Sequence, residues 1–349
     1  MLKVAIIGAG GMATAHVKAY QEIKDVKVVA VCDILPKSAK DFAQSFAIEN
    51  YFCDVDEMLS TVEIDAVSVV TPDALHKSIT LKVLAASKHV LCEKPLATNY
   101  ADAKQMCDAA TNAGVINMVN LSYRNAPSIH KAKALVESGE IGLVKHVNAS
   151  YLQSWLSSNA WGDWKSESKW LWRLSTKHGS KGVLGDVGVH ILDLASFPVG
   201  DFAAISCQLK TFAKAPNDQI GEYPLDANDS AIISAQFGNG ALAAIQATRW
   251  ATGNLNTLNL SIFGDKGAIE ICLKPGEEWN ELKVCSGENV NPGLWESIIC
   301  EPTPTIYQRF VESIRSGVND EADFARGAAL QKALDQCEAS SRSQTLLSI

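Results

Sequence analysis

The fold is decided by residues 1–33, which read MLKVAIIGAGGMATAHVKAYQEIKDVKVVAVCD. An apolar run at 2–7 enters the glycine-rich turn GAGGMA, an amphipathic segment at 12–23 follows, and a second apolar run at 27–32 ends on Asp33. Continuously apolar runs are typical of strands buried on both faces of a parallel sheet. The stretch therefore predicts a strand–turn–helix–strand unit with its glycines at the carboxyl edge of the sheet.

The same alternation of short apolar runs and longer helical patterns continues to about residue 122. Further strands are predicted at 65–70, 89–92 and 115–120, and further helices at 36–47, 74–87 and 99–113. Strands that alternate with helices of this length predict a doubly wound parallel α/β sheet. We expect this Rossmann domain to occupy residues 1–122.

The remaining residues, 123–349, have a different pattern, in which many strands alternate between polar and apolar side chains. In one of them Ile233 and Phe237 fall on one face, whereas Ser234 and Gln236 fall on the other. Such alternation predicts an α+β domain whose mostly antiparallel sheet has one face against helices and one open face. Strands are predicted at 144–153, 204–211, 229–237, 241–249, 257–263 and 267–272, and helices at 126–138, 185–197, 305–316 and 321–341, with the C-terminal helices (305–341) assigned to this domain.

Length and composition exclude several classes of protein. The 349 residues suffice for two domains, and 39 acidic against 31 basic residues give a net charge of −8, which argues against a nucleic-acid partner. We find no signal peptide and no run approaching the roughly 20 apolar residues of a membrane helix. The nine cysteines are scattered and never form Cys-x-x-Cys, so neither a disulfide scaffold nor a zinc ribbon is indicated. We expect a cytoplasmic protein without a membrane partner.

The glycine-rich turn predicts a dinucleotide site. In the pattern G-x-G-x-x-A, Gly8 permits the tight turn and Gly10 lets the backbone approach a pyrophosphate. The helix that opens at Gly11 and Met12 offers free amides and the positive end of its dipole to the phosphates.

The end of the second strand predicts which dinucleotide is bound. Asp33 can accept hydrogen bonds from the adenosine ribose, although it could instead cap the helix that starts at Pro36. Ile34 follows and offers no cation to a 2′-phosphate, so NAD is predicted over NADP. Lys37 is close enough in sequence to weaken this preference.

Two further segments follow strands of the same sheet and reach its carboxyl edge, where α/β sheets bind ligands. Thr71-Pro72 closes one strand and His76 lies one helical turn further on; a surface position is the alternative for this histidine. Glu93-Lys94 follows another strand and precedes a proline. A lysine at a buried strand end is costly unless its charge is used, but a surface Glu–Lys pair is the alternative. We count all five residues as candidate cofactor ligands.

The segment GDVGVHILD, residues 185–193, carries a second polar cluster. On a helix Asp186 and His190 are four residues apart and share a face, and Asp193 lies three residues beyond the histidine. A carboxylate near a histidine fixes its tautomer and suits general acid–base catalysis. The alternatives are a helix-capping aspartate with a core histidine, or a metal site, for which further ligands are lacking; we predict no metal.

Over nearly its whole length the chain resembles the Gfo/Idh/MocA oxidoreductases, the family of glucose–fructose oxidoreductase and inositol dehydrogenase. The resemblance rests on five segments in the family's order and spacing: GAGGMA, TPDALH, VLCEKPLA, NLSYRNAPSIHKAKALVESGEIG and GSKGVLGDVGVHILDL. It departs from common forms where Ser180-Lys181-Gly182 replaces a glycine run and where tryptophans crowd residues 153–180. The resemblance implies a Rossmann domain, an open-faced second domain and a site in the cleft between them. It assigns catalysis to Lys94, Asp186 and His190.

The activity that this resemblance implies is hydride transfer between a nicotinamide and a secondary alcohol carbon of a sugar or polyol. His190 would exchange the hydroxyl proton, Lys94 would hold the same oxygen, and Asp186 would orient the substrate. Two alternatives stay open: an NAD-assisted glycosidase or lyase that oxidises its substrate transiently, and a non-catalytic sensor of sugar or dinucleotide. We expect a carbohydrate as the small-molecule partner and a homodimer or homotetramer formed through the C-terminal sheet.

Other residues are weaker candidates for ligand contacts. Asn120 and Tyr123 end a sheet strand and are predicted to line the substrate cleft. Arg124 and Arg173 are candidates for cofactor or substrate contacts, with a salt bridge as the alternative for each arginine. Five of the eight tryptophans fall within residues 155–172, amid polar residues. Large rings with N–H donors suit the apolar face and hydroxyl rim of a pyranose. We predict that Trp155 or Trp161 contacts the sugar and that Trp172, beside Arg173, packs near the nicotinamide. The alternative is a loop held together by its own tryptophans, or a subunit contact.

Overall fold

The computed structural model describes residues 1–349, apart from the side chain of Ser168. These residues form two compact units: Met1–Ser122 with Pro304–Gln331, and Tyr123–Thr303 with Lys332–Ile349. The prediction that the whole of 305–341 belongs to the second domain is therefore wrong for residues up to Gln331. An amphipathic helix reveals that it has an apolar face, but its sequence does not reveal which sheet that face covers.

The first unit contains the predicted doubly wound parallel sheet. Its strands are β1 Leu2–Ile7, β2 Val26–Cys32, β3 Asn50–Phe52, β4 Ala66–Val69, β5 His89–Cys92 and β6 Asn117–Val119. Its helices before residue 122 are α1 Gly11–Gln21, α2 Pro36–Ser45, α3 Val55–Thr61, α4 His76–Ala85 and α5 Tyr100–Ala113. The strands are all parallel, in the order β3-β2-β1-β4-β5-β6. The prediction of a Rossmann fold is confirmed.

The apolar runs that predicted this sheet are its buried centre. Val4, Ala5, Ile6 and their neighbours in β2, β4 and β5 are almost fully buried, as expected for strands covered on both faces. The sequence did not predict β3 and α3, because a three-residue strand with an exposed central tyrosine shows no apolar run. Asp54 nevertheless marks the start of α3, since its side chain accepts the Glu57 N–H at 2.8 Å.

The C-terminal part of the first unit is held to its sheet by backbone hydrogen bonds. Helix α9, Ile306–Ser316, begins with a capping box at Thr305. The segment that follows pairs with β6: the Val119 N–H donates to the Ala322 carbonyl at 2.7 Å, and the Asn117 side chain accepts the Phe324 N–H at 2.8 Å. These contacts explain why residues 304–331 belong to the first unit.

The second unit is built on a large mixed sheet. The strands of the unit are β7 Val144–Leu152, β8 Phe202–Lys210, β9 Gln219–Ile220, β10 Tyr223–Pro224, β11 Ser230–Phe237, β12 Leu242–Thr248, β13 Thr257–Gly264, β14 Gly267–Leu273, β15 Glu281–Ser286, β16 Glu296–Ile299 and β17 Leu347–Ser348. Strands β9 and β10 pair only with each other. The helices of this unit are α6 Pro127–Glu137, α7 Ser168–Leu171, α8 Val189–Ser196 and α10 Phe324–Ser343, the last of which is divided between the units. Nine strands pair in the order β16-β15-β14-β13-β7-β12-β11-β8-β17, antiparallel except for β7 with β12.

One face of this sheet is buried and the other is open, as the alternating pattern predicted. Ile233 and Phe237 are buried under the helices, whereas Ser234 and Gln236 point outward with Ile232, which is 64% exposed. Helix α8 packs across β7, β12 and β13 on the buried face. The predicted α+β architecture is confirmed, and β15 and β16 extend the sheet beyond the strands expected. Among the described residues no helix combines the length and the apolar character that a membrane span needs.

Candidate active site

The glycine turn after β1 leaves room for a phosphate. Gly8 has φ +102°, and a Cβ there would lie 2.4 Å from the Val70 carbonyl oxygen, so only glycine fits. At Gly10 and Gly11 no described atom lies within 4 Å of where a Cβ would stand, and no described side chain caps the amino end of α1. Uncapped amides at the start of an eleven-residue helix are suited to bind an anion. Met12, on the same turn, is half exposed.

The carboxylate of Asp33 is fixed at the end of β2 by the same turn. Ala9 donates its N–H to Asp33 Oδ2 at 2.8 Å, and Leu35 donates to Oδ1 at 2.9 Å. The cap of α2 is Leu35, without a side-chain bond, so the alternative role of Asp33 as that cap is wrong. Ile34 is 79% exposed beside the carboxylate. The turn and Asp33 thus present the amides and the acceptor that the sequence predicted.

Glu93 lies in a buried polar network that the sequence did not predict. Its Oε1 accepts from Asn120 Nδ2 at 2.6 Å and lies 2.9 Å from Nε2 of the fully buried His16 in α1. Asn120 also approaches the Tyr307 hydroxyl at 3.3 Å. Burial acts to raise the pKa of Glu93, but the His16 hydrogen bond and the charge of Lys94 bring it down to about 2. Glu93 is therefore a buried carboxylate next to Lys94, and Asn120 supports it.

His76 and Thr71 meet inside the first unit. The His76 side chain is completely buried, with Nδ1 at 2.9 Å from the Pro95 carbonyl oxygen and Nε2 at 2.9 Å from that of Thr71. The prediction that His76 contacts the cofactor is wrong, and so is the alternative of a surface position. Thr71 Oγ1 is buried without a hydrogen-bond partner in the described part of the chain. Thr71 and Pro72 keep their predicted place at the carboxyl end of β4.

In the second unit Asp186 is held by two arginines. It lies in a π-helical turn, Leu184–Gly188, that leads into α8, so the α-helical spacing we expected for it does not apply. Arg249 Nη2 donates to Asp186 Oδ2 at 3.0 Å, and Arg173 Nη1 lies 3.3 Å from both carboxylate oxygens. Arg249 is fully buried, so burial lowers its pKa while Asp186 acts to raise it. The candidate aspartate is thus an anion fixed in place by a buried cation.

His190, in α8, is surrounded by two tyrosines. Its ring packs edge-on against Tyr123, with centroids 4.9 Å apart, and lies 6.3 Å from the ring of Tyr151. The two tyrosine hydroxyls are 2.6 Å apart, and Asn256 Nδ2 donates to Tyr123 at 2.8 Å. Burial, followed by the neighbouring Tyr123, raises the pKa of Tyr151 well above its usual value. Tyr123, Tyr151 and Asn256 therefore form one cluster beside His190.

Arg124 forms a buried ion pair. Its Nε and Nη2 donate to the Asp193 carboxylate at 2.8 and 2.7 Å, and its Cζ lies 4.0 Å above the Phe197 ring. The arginine side chain is almost inaccessible. The prediction that Arg124 contacts the cofactor or the substrate is therefore wrong, and the alternative of a salt bridge is correct. Asp193 likewise belongs to this pair.

The tryptophan-rich segment is largely a packed cluster. Trp155 and Trp164 are buried with Leu156, Leu171, Leu174 and Leu225, and Trp161 and Trp170 pack against them. The Trp155 ring lies 5.7 Å from that of Trp170 and 5.0 Å from the Arg249 guanidinium, and its Nε1 donates to Gln153. These contacts favour the packing alternative for Trp155. Trp172 differs, since it is 41% exposed beneath Arg173 Cζ at 4.7 Å.

Several supporting residues were missed by sequence reasoning. Arg249, His16, Tyr151 and Asn256 lie far along the chain from the candidates they contact, and no local motif marks them. The one available signal was a charged Arg249 directly after an alternating strand. No group of three or more His, Cys, Asp or Glu side chains suited to a metal ion occurs among the described residues.

Comparison with known proteins places this geometry in a family. A model of an oxidoreductase family with an NAD-binding Rossmann fold matches residues 2–121, and a model of the GFO/IDH/MocA C-terminal domain matches residues 129–270. Levoglucosan dehydrogenase of Pseudarthrobacter phenanthrenivorans is 31% identical over 292 residues, 77% of this chain and 73% of that protein. D-glucoside 3-dehydrogenase of Escherichia coli is 30% identical over 280 residues, 77% of each chain. A structure of levoglucosan dehydrogenase with NADH and L-sorbose has a TM-score of 0.88 at 27% identity and covers 100% of this chain and 98% of that one. The chain belongs to the Gfo/Idh/MocA oxidoreductase family.

Proposed function

We propose that this protein catalyses the reversible, NAD-dependent oxidation of a secondary alcohol carbon in a small carbohydrate. The observation that carries the proposal is the joint presence of Lys94, Asp186 and His190 at the motif positions to which the family resemblance assigns catalysis. Relatives that are named as dehydrogenases of levoglucosan, of D-glucosides and of D-apiose support a carbohydrate substrate.

The nicotinamide cofactor fits the first unit. The turn from Gly8 to Met12 would hold the pyrophosphate, and Asp33, fixed by the Ala9 and Leu35 amides, would accept the ribose hydroxyls. The exposed apolar Ile34 supports a preference for NAD over NADP. Bound NAD⁺ supplies the acceptor for the hydride that leaves the substrate carbon. Further contacts with the cofactor stay predicted for Thr71, Pro72, Glu93, Trp172 and Arg173.

Three residues of the chain would transfer the proton, stabilise the developing charge and orient the substrate. His190 would take the proton from the substrate hydroxyl as its carbon is oxidised, and return it in the reverse direction. The Lys94 ammonium, beside the Glu93 carboxylate, would hold the same oxygen and stabilise its alkoxide character. Asp186, held by Arg249, would accept a neighbouring hydroxyl of the sugar. Tyr123 adjoins His190 and stays a candidate substrate contact.

A screen of sugars, inositols and sugar acids with NAD⁺ and NADP⁺, followed at the absorbance of reduced nicotinamide, tests this function. We expect turnover with NAD⁺, and a loss of kcat of about 10²–10⁴ in Lys94→Ala and in His190→Ala with little change in NAD affinity. Lys88→Ala, before the start of β5, is the matched control and should behave as the wild type. Near-normal kcat in either site variant would contradict the assigned roles.

Product analysis in the same screen separates the two alternative functions. Stoichiometric keto-sugar with reduced cofactor identifies a dehydrogenase, whereas cleaved sugar without accumulation of reduced cofactor identifies an NAD-assisted glycosidase or lyase. Cofactor binding without any chemical change across the panel would instead indicate a sensor.

We further propose that the open face of the second unit's sheet forms a homodimer or homotetramer. It carries exposed apolar residues such as Ile232 and Leu242 on adjacent strands, a pattern typical of interaction surfaces. Ile232→Lys should shift the mass measured by light scattering toward the monomer, whereas Val318→Lys, an exposed residue of the first unit, should not. We also propose a cytoplasmic location, which the scattered spacing of the nine cysteines supports.

A further inference from the structure

The two ring nitrogens of His76 face backbone carbonyl oxygens. Nδ1 lies 2.9 Å from the Pro95 oxygen and Nε2 lies 2.9 Å from the Thr71 oxygen. A carbonyl oxygen only accepts hydrogen bonds, and a neutral imidazole has one N–H donor and one bare nitrogen. Both contacts are hydrogen bonds only if both nitrogens carry a proton.

We propose that His76 is a buried imidazolium that acts as a positioning residue, fixing the loop of Lys94 to the turn at Thr71. The charge of His76 stands on the geometry alone, whereas its positioning role rests on the function proposed above for Lys94.

Some features of the surroundings of His76 lower its pKa and others raise it. Burial lowers the pKa of His76, but Cys92 at the end of β5, Asp73 in the preceding turn and the Pro95 carbonyl bring it up to about 10. The amino end of α4, where His76 stands, opposes a positive charge. The two carbonyl contacts favour the charged ring, because hydrogen bonds from a charged donor are about twice as strong as neutral ones.

The bonds of His76 join two neighbouring strands of the sheet. Thr71 follows β4 and Pro95 follows β5, and these strands pair in parallel. The Pro95 carbonyl belongs to the residue directly after Lys94, and the Lys94 N–H contacts the Glu93 carboxylate at 3.2 Å. The backbone of Lys94 is thus held on one side by Glu93 and on the other by His76. A neutral residue at 76 would release one of the two loops.

The protonation state is measured by nitrogen NMR of the whole chain labelled at its seven histidines. We expect one histidine with both ring nitrogens protonated at about pH 8, where free histidine is neutral. Its signal should be missing from His76→Gln. His89 is an internal reference, because its Nδ1 accepts the Ile116 N–H at 3.0 Å and must be bare. A bare nitrogen on His76 at that pH would overturn the proposal.

If His76→Gln does not fold, replacing the other histidines one at a time assigns the signal by elimination.

The positioning role is measured by kinetics. His76→Gln should lower kcat about 10–100-fold, the scale of a slightly misplaced catalytic group, while KM and NAD affinity stay within about threefold, roughly 0.7 kcal/mol. His89→Gln, in the same sheet, should keep the wild-type kcat. An unchanged kcat in folded His76→Gln would overturn the positioning role. If the wild type turns over no sugar, the proposed function fails, while the NMR result still decides the charge of His76.

Discussion

Replacement of Arg249 by methionine tests how the second unit holds Asp186. The arginine follows β12 and is completely buried. It donates to Asp186 Oδ2 at 3.0 Å and to the Arg173 carbonyl at 3.0 Å, with a longer contact of 3.4 Å to the Gly182 carbonyl. Methionine has a similar length but no charge and no donor, so the change removes these bonds while keeping most of the volume.

The expected loss of stability follows from these contacts. Removing one partner of a buried ion pair costs about 3–5 kcal/mol. Asp186 is 26% exposed and keeps Arg173 at 3.3 Å, which lowers the cost. The Gly182 carbonyl loses its Arg249 donor, however, and a buried acceptor left without a donor costs about 1–3 kcal/mol. The Arg173 carbonyl keeps the hydrogen bond from the Ser180 hydroxyl. We therefore expect Arg249→Met to lose about 3–5 kcal/mol, which for a unit of this size lowers Tm by about 6–20 °C.

Thermal unfolding of the full chain, followed by calorimetry, measures this loss. Arg173→Met is the matched control, because Arg173 contacts the same carboxylate but is 33% exposed; an exposed pair contributes about 0–1 kcal/mol. Arg249→Lys keeps the charge without the planar fork and should fall between the two. If Arg249→Met unfolds within about 2–4 °C of the wild type, a shift of about 1 kcal/mol, then Arg249 does not anchor Asp186.

Three other changes test the first unit and the tryptophan cluster. Asp33→Ser with Ile34→Arg should shift the ratio of kcat/KM values toward NADP by tenfold or more, about 1.4 kcal/mol; a wild type that already prefers NADP would contradict this. The folded pKa of His76, about 10, exceeds its unfolded value of about 6.5, so its contribution to stability is complete below about pH 6.5 and is lost as the pH rises through 10. We therefore compare the free energies of unfolding of the wild type and of His76→Gln by urea titration. The difference between them should fall by about 2–3 kcal/mol between about pH 7 and pH 9, and a constant difference would refute the charged state of His76. Trp155→Ala should lower Tm strongly, as loss of a core tryptophan costs about 3–5 kcal/mol, whereas half-buried Trp161→Ala should lower it less; a raised KM with unchanged Tm in Trp155→Ala would restore its predicted sugar contact.

The first unit was predictable from sequence because its signals are local. A strand, its glycine turn and the following helix are contiguous, and the position of Asp33 follows from the length of β2. The sequence placed Thr71, Glu93 and Lys94 at one edge of the sheet for the same reason, since parallel strands all end there. What the sequence could not predict was the direction of the side chains beyond the strand ends. His76 and Asn120 point into the protein, where backbone carbonyls and Glu93 bind them.

The second unit was less predictable because its decisive contacts are remote in sequence. Arg249 is 63 residues from Asp186, and Arg124 is 69 residues from Asp193. In the sequence, a charged residue such as Arg124 is equally consistent with a ligand contact and with a buried ion pair. Only the position of the oppositely charged residue in the fold decides between the two. The tryptophans show the same ambiguity, because rings amid polar residues fit both a sugar cleft and the packed cluster that the structure contains.

The two units nevertheless support their candidate catalytic residues in a similar way. Beside Lys94 stands the buried Glu93 carboxylate, fixed by His16 and Asn120; against Asp186 stands the buried Arg249 guanidinium, fixed by backbone carbonyls. In each case a buried charge of opposite sign faces a more exposed group, and that arrangement fixes the orientation of the exposed group before the substrate binds. Motif recognition finds the exposed group of each pair, because its neighbours in sequence are distinctive. His16 and Arg249 lie outside the five segments that carry the family resemblance, so variants at these two residues are where activity should be lost without any change in a recognised catalytic residue.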